Sequence, residues 1–300
     1  MKTPIYDYVK KYNESGIVRA HMPGHKGVIR NDDISRLYPL DITEIDGADF
    51  LFDADSDGII AKSEKNATKL FGTYKTFFST TGSTLCIQTM LALTCKEGDI
   101  VAAARNSHRA FINACILLGL RIKWIYPEYE NGSLISGKIT ARAVENVINT
   151  GEKPSCVYIT SPDYLGKIAD ISSISSVCKE YNIPLAVDNA HGAYLAFLEE
   201  NIHPISLGAD LCCDSAHKTL PVLTGGAYLH ISNQKYCQNA KKYMSLFTST
   251  SPSYLVMQSL DLCNAYLEND YRNELALTCT QVKNLKRDLS NFWTLYGDEP

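Results

Sequence analysis

A chain of 300 residues, 45% hydrophobic and 21% charged with a formal net charge of −4, has the make-up of an ordinary globular protein and is long enough for one large α/β unit with an appended piece. Its slightly acidic balance offers nucleic acid no electrostatic foothold, so no nucleic-acid partner is expected. No apolar run approaches membrane-spanning length, and residues 1–11 carry charges and tyrosines where a secretory leader needs an unbroken apolar core; a cytoplasmic protein with no membrane partner is expected.

Residues 1–40 read as an N-terminal arm, a short helix followed by the Gly/Pro-rich run His21-Met22-Pro23-Gly24-His25-Lys26-Gly27. Asp53-Ala54-Asp55-Ser56-Asp57-Gly58 has the alternating oxygens and glycine of a calcium loop, but no clear helix precedes it, and a solvated turn is expected. From about residue 70, short apolar segments at 76–78, 100–103, 122–125, 157–159, 185–187, 211–213 and 227–231 alternate with helix-like stretches at 83–95, 110–118, 140–148 and 171–181. Strands buried on both faces and joined by helices predict an α/β fold with a mostly parallel central sheet and helices on both faces. Two further helices, 253–267 and 272–289, follow with no later strand before Pro300. The expected division is the arm at 1–40, a large domain at 41–270 and, at 271–300, the start of a C-terminal domain cut short.

Ten cysteines are scattered, mostly within apolar segments and with no C-x-x-C pair, which predicts reduced core thiols. Cys212 and Cys213 could join a nearby histidine around a metal, but adjacent residues of a strand point to opposite faces. No metal site is expected.

Four polar clusters follow strands of this sheet. Thr80-Thr81-Gly82-Ser83-Thr84 stands between a strand and a helix, where free backbone N–H groups, hydroxyls and the positive helix end converge on an anion site; taken alone, plain N-capping by Ser83 or Thr84 explains it better. His108, in Asn106-Ser107-His108-Arg109, falls at the C-terminal edge of the sheet, where α/β folds bind ligands and an imidazole can stack on an aromatic ring; alone, it is an ordinary loop histidine. Asp188-Asn189-Ala190-His191 ends an apolar strand. Asp188 can pair with a protonated ring nitrogen, the small Ala190 lets a flat ring approach from the face opposite His108, and a helix cap by Asp188 is the equal alternative. Ser215-Ala216-His217-Lys218-Thr219 follows another strand, and a lysine amine becomes a Schiff-base partner when a pocket desolvates it. Phosphate donors, a stacker, an acid and an amine arriving in this order point to pyridoxal 5′-phosphate, an electron sink that needs an acid beneath its ring nitrogen.

At these residues, and over nearly its whole length, the chain resembles the ornithine/lysine/arginine decarboxylase family of pyridoxal phosphate enzymes, whose large domain has the aspartate aminotransferase type of fold. The likeness runs in order through residues 21–27, Asp41-Ile42-Thr43-Glu44-Ile45-Asp46-Gly47, residues 81–84, Arg105-Asn106-Ser107-His108, Ser161-Pro162-Asp163-Tyr164-Leu165-Gly166, residues 188–192 and residues 215–218. The resemblance implies a catalytic set of Lys218, the Schiff-base lysine, Asp188, the partner of the pyridine nitrogen, and His108, stacked on the ring. Gly82, Ser83, Thr84, Ser215 and His217 would hold the phosphate, and Ala190 and His191 would complete the cofactor site. A neighbouring subunit is implied to reach the phosphate from Phe247-Thr248-Ser249-Thr250-Ser251-Pro252, with Ser249 the best match, hence a homodimer or higher homo-oligomer with shared active sites. The implied activity is decarboxylation of a basic amino acid (lysine, arginine or ornithine) to a polyamine precursor, in the compact form without an N-terminal wing domain.

Two departures stand out. Asn189 occupies a position where the family often has an acidic residue, a change expected to leave the Asp188 contact intact. Relatives also continue beyond the position of Pro300 into a domain that closes the substrate pocket. That keeps open another enzyme of the same fold, an aminotransferase or amino-acid lyase, or a truncated non-catalytic cofactor-binding or regulatory homologue. Asp163 and Tyr164 are left outside the site, since a solvated turn accounts for them.

Overall fold

The computed structural model describes residues 1–28, 34–44, 50–53, 56–129 and 137–290. The apolar runs become strands β1 (Lys75–Ser79), β2 (Ile100–Ala104), β3 (Arg121–Ile125), β6 (Cys156–Thr160), β7 (Leu185–Asp188), β8 (Leu211–Asp214) and β9 (Ala227–Ile231), with a separate two-residue hairpin of β4 (Glu128–Tyr129) and β5 (Gly137–Lys138). The main sheet has the order β1-β9-β8-β7-β6-β2-β3. Its pairs are parallel except those made by β9, which runs against both β1 and β8. The loops that leave β1, β2, β6, β7 and β8 therefore open at one edge of the sheet, where ligands of α/β folds collect.

Helices α1 (Pro4–Glu14), α2 (Ile59–Phe71), α3 (Gly82–Thr94), α4 (Arg109–Leu117), α5 (Ala141–Asn149), α6 (Ile171–Glu180), α7 (Ala216–Thr219), α8 (Ala240–Leu246), α9 (Tyr254–Glu268) and α10 (Tyr271–Leu289) complete the described chain. One face of the sheet, with Phe77, Tyr158, Ala186, Cys213 and Leu229, packs on α3, α4 and α8. The other carries Val157, Val187 and Cys212 against α5 and α6, and Phe78 and Tyr228 against α1, α2 and α9. Cys212 and Cys213 thus enter different cores, as the period of a strand requires. All ten cysteines are free thiols. No helix among the described residues is long and apolar enough to cross a membrane.

The exposed edge of β1 is blunted by side chains rather than by another strand. Glu64 and Thr68, one turn apart on α2, accept the N–H groups of Phe78 (3.0 Å) and Thr76 (2.9 Å). Glu64 is fully buried, and burial pushes its carboxyl up while Lys241 of α8, 3.1 Å away, opposes that rise.

Helix α1 has no cap of its own. Asp261 of α9 supplies one from 255 residues away, accepting the N–H groups of Ile5 (2.9 Å) and Tyr6 (3.0 Å). Burial pushes the Asp261 carboxyl up to about 6. A raised folded-state value means the protonated form is favoured on folding, so its contribution is complete below the ordinary carboxylate range and is lost as pH rises through about 6. Thermal unfolding should therefore show a fall in stability between about pH 4 and pH 6, on the order of 2–3 kcal/mol. Asp261→Asn, which keeps an acceptor for α1, should flatten it; an unchanged pH profile in that variant would refute the assignment.

Residues 45–47 of the family-like motif, residues 54 and 55 of the calcium-like loop and residues 291–300 lie outside the described residues. Helix α10 buries only Tyr271 and leaves Leu277, Val282 and Leu285 exposed, and Leu275 and Val282 line a groove of about 880 Å³ together with Tyr194 and Thr219.

Candidate active site

Asp188 closes β7 and is 2% exposed. Two residues after Ala186, it points to the α3 face. Tyr158 of β6 donates its hydroxyl to Asp188 Oδ2 at 3.0 Å and stacks on Phe111 of α4, ring centroids 4.4 Å apart. Burial holds that phenol well above its ordinary value, with the Asp188 charge adding to the rise, so Tyr158 is a donor. The Ala190 N–H (3.2 Å) and Cys213 Sγ (3.6 Å) reach Oδ1. Asp188 does not cap a helix, because its one backbone donor is its own turn and the following 3₁₀ segment, Ala193–Phe197, has Gly192 at its cap position.

Beyond Asp188 the chain turns tightly: Ala190 is buried, and a Cβ on Gly192 would meet Asn189 Oδ1 at 2.1 Å. His191 emerges with Nε2 3.1 Å from Lys218 Nζ. Burial first, then the Lys218 charge, lower His191 below its ordinary value, so at neutral pH it is an acceptor for the lysine ammonium. Lys218 sits on the short α7 and is exposed. The desolvating pocket expected around it is therefore not built by these residues; its described partner is His191.

The loop after β1 departs from simple capping. Gly82 takes φ +77°, which favours glycine, and no side chain caps α3. The Gly82 N–H donates to Gly225 O (2.7 Å), while the N–H groups of Ser83 and Thr84 have no acceptor among the described residues. Ser83 Oγ instead accepts from Ser215 Oγ at 2.8 Å, joining the loop after β1 to the loop after β8. His217 is spent on the second of these, with its backbone N–H and Nδ1 both on Gly226 O, at 3.1 and 3.0 Å.

His108 is exposed at the sheet edge and caps α4, its Nδ1 accepting the Ala110 N–H at 3.2 Å. That leaves the ring proton on Nε2. Ser249 is not brought to Ser83 or Ser215: it is exposed and accepts the N–H of Ser251 (3.1 Å), and its loop meets Thr81 through Thr248, hydroxyl to hydroxyl at 3.2 Å. Asp163 is not solvated as expected; it is buried and ties its own turn by accepting the N–H groups of Leu165 (2.8 Å) and Lys167 (3.0 Å). Tyr164 is exposed beside His191, ring centroids 6.3 Å apart.

Sequence reasoning missed Tyr158, whose one signal is a hydroxyl inside an otherwise aliphatic strand. It also missed the buried side chains behind Asn189. Four buried oxygens without a partner, Asn106 Oδ1, Thr160 Oγ1, Asn189 Oδ1 and Thr219 Oγ1, lie in or beside the same loops. Free N–H groups at the start of a helix, two serine hydroxyls, an anchored acid and an amine with its acceptor fit pyridoxal phosphate in kind, phosphate at one end and ring at the other.

The fold is the aspartate aminotransferase-like α/β fold. The lysine decarboxylase LdcF of Francisella novicida superposes with a TM-score of 0.84 at 17% identity, over 98% of this chain and 45% of that one. Lysine decarboxylase A of Pseudomonas aeruginosa gives 0.82 at 20% identity, over 96% and 43%. The family model for the Orn/Lys/Arg decarboxylase major domain matches residues 3–296, and the chain belongs to that family. An arginine decarboxylase of Bacillus subtilis is 30% identical over 298 residues, 97% of this chain and 60% of that protein. The uncharacterized protein YaaO of the same organism is 29% identical over 277 residues, 90% and 57%. The chain thus spans about three fifths of the length of these curated relatives.

Proposed function

We propose that this chain binds pyridoxal phosphate and decarboxylates a basic amino acid, lysine, arginine or ornithine, yielding a polyamine precursor. The observation that carries the reading is the meeting of Lys218, His191 and the anchored Asp188 at the sheet edge where α3 starts with two unclaimed N–H groups. Membership of a family whose named relatives are arginine and lysine decarboxylases supports the choice of reaction. When bound, pyridoxal phosphate supplies the electron sink for the bond that releases carbon dioxide.

The protein's own part follows from its side chains. Asp188, fixed by Tyr158, Cys213 and the Ala190 N–H, would keep a proton on the ring nitrogen. His191 Nε2, already an acceptor for Lys218 Nζ, would take the lysine proton and leave a free amine to attack a carbonyl. Ser83, Thr84 and Ser215 would bind the phosphate. His108, its orientation set by the cap it makes on α4, would cover the ring from the side opposite Ala190. Residues 41–270 would form the cofactor-binding domain, and the loop of Ser249 would complete the phosphate site across a homodimer or higher homo-oligomer. Ten unpaired thiols suit a reducing cytoplasm.

Carboxyl-labelled lysine, arginine and ornithine, each supplied with protein and pyridoxal phosphate, test the reaction. One of them should release labelled carbon dioxide and leave the amine with no keto acid. Keto acid without carbon dioxide would assign an aminotransferase, and cofactor binding without any turnover would assign a binding or regulatory role.

A further inference from the structure

Behind the proposed site lies a buried cluster with no part in the chemistry above. Asp214, the last residue of β8, is fully buried. Its Oδ2 accepts from His203 Nε2 (3.2 Å) and His230 Nε2 (3.1 Å), its Oδ1 from Asn189 Nδ2 (2.6 Å), and Cys212 Sγ lies 3.8 Å from Oδ1. Phe71 packs on both imidazoles, ring centroids 5.7 and 4.5 Å away.

Two histidines and an aspartate around one point, with the Cys212 thiol beside them, are a metal donor set in kind. The far side of His203 argues otherwise. Its Nδ1 accepts the Ile205 N–H at 3.3 Å, so the ring proton sits on Nε2, the atom a metal would need bare. His230 Nδ1 lies 2.9 Å from Thr76 Oγ1, and burial lowers this imidazole below its ordinary value, keeping it neutral. Burial alone would raise the Asp214 carboxyl, but the two imidazoles bring it below the usual carboxylate range. The cluster is one ionised carboxylate held by three N–H donors.

Its position gives it a task. Asp188 points to the α3 face of the sheet, whereas Asn189, one residue on, reaches Asp214, which shares the opposite face with Cys212. The turn that carries Asp188 and His191 is thus gripped from both sides, by Tyr158 and Cys213 on one and by Asp214 on the other. We propose that Asp214 is a positioning residue of the cofactor site, which fixes this turn through the Asn189 amide and requires an amide, not a carboxylate, at position 189. The proposal rests on the reading that Asp188 and Lys218 hold pyridoxal phosphate.

Four proteins test it: wild type, Asn189→Asp, Asp214→Asn and the double variant, each titrated with pyridoxal phosphate and followed by Schiff-base absorption and by unfolding midpoint. Asp214→Asn sets an amide against the Asn189 amide and should bind less tightly than wild type but more tightly than Asn189→Asp, because Asn189 can turn its unpartnered Oδ1 toward the new amide. Asn189→Asp sets two carboxylates at hydrogen-bond distance and should weaken binding about ten-fold or more. The double variant exchanges donor and acceptor, keeps an oxygen for both imidazoles, and should return to within about three-fold of wild type.

Wild-type binding by Asn189→Asp, or a double variant no tighter than Asn189→Asp, would overturn the proposal. If Asn189→Asp fails to fold, a double variant that folds and binds supports it and one that also fails sinks it. A wild-type protein with no Lys218-dependent absorption would defeat the cofactor reading and this proposal together; a binding wild type indifferent to Asn189→Asp would defeat the proposal alone.

Discussion

Lys218→Ala is expected to lose the visible Schiff-base absorption that pyridoxal phosphate develops with the wild-type protein, and with it turnover of any amino acid. Lys218 is the amine that His191 Nε2 contacts, at 3.1 Å. A histidine held neutral by burial and by the lysine charge is well placed to accept that amine's proton. Loss of the lysine's proton transfers alone should cost roughly 10²–10⁴-fold in turnover, and loss of the covalent attachment adds to it. Borohydride reduction of the wild-type complex should leave the cofactor mass on the peptide containing Lys218 and on no other. Absorption retained in Lys218→Ala, or label on a different lysine, would remove Lys218 from the site.

Lys241→Met should cause the largest loss of stability. Lys241 and Glu64 are both nearly inaccessible, 3.1 Å apart, and Glu64 also accepts the Phe78 N–H at the edge of the sheet. Removing the cation strands a buried carboxyl beside a strand that depends on it as acceptor, an expected cost of about 3–5 kcal/mol. Glu64→Gln/Lys241→Met keeps the acceptor for Phe78 and removes both charges, so it should recover most of the loss. Urea unfolding at constant m-value measures both variants. A single variant as stable as wild type would mean that the pair adds nothing to the attachment of α2 and α8.

The elements were legible because their signals are local. The run at 211–213 becomes β8, Leu211–Asp214, and the stretch at 171–181 becomes α6, Ile171–Glu180, since buried strands and amphipathic helices write their periods into adjacent residues. The loops that meet at the sheet edge could be read for the same reason: each directly follows a recognisable strand. Partnerships set by register between distant strands were not legible. Ser83 leaves its helix uncapped because its hydroxyl meets Ser215, 132 residues away. Tyr158 finds Asp188 because β6 and β7 pair in parallel with Thr160 beside Asp188. The openness around Lys218 was missed because a lysine's surroundings depend on how α7 sits against its neighbours, which no local pattern encodes.

The reversed direction of β9 bears on how the site comes into being. Because β9 returns beside β8, the stretch from Lys218 to Gly226 is a short connection whose closure costs little entropy. The loop after β1, by contrast, reaches this connection only through β1–β9 pairing, in which Thr76 meets His230 across 154 residues of chain. Every intervening strand can assemble first, and still the phosphate end and the lysine end of the site remain apart; such a contact of high sequence separation forms slowly. A ligand spanning both loops binds only where β1 and β9 are paired. By mass action it would therefore act as a clasp on the seam between the first and last strands of the sheet, so that its concentration sets how often the seam opens.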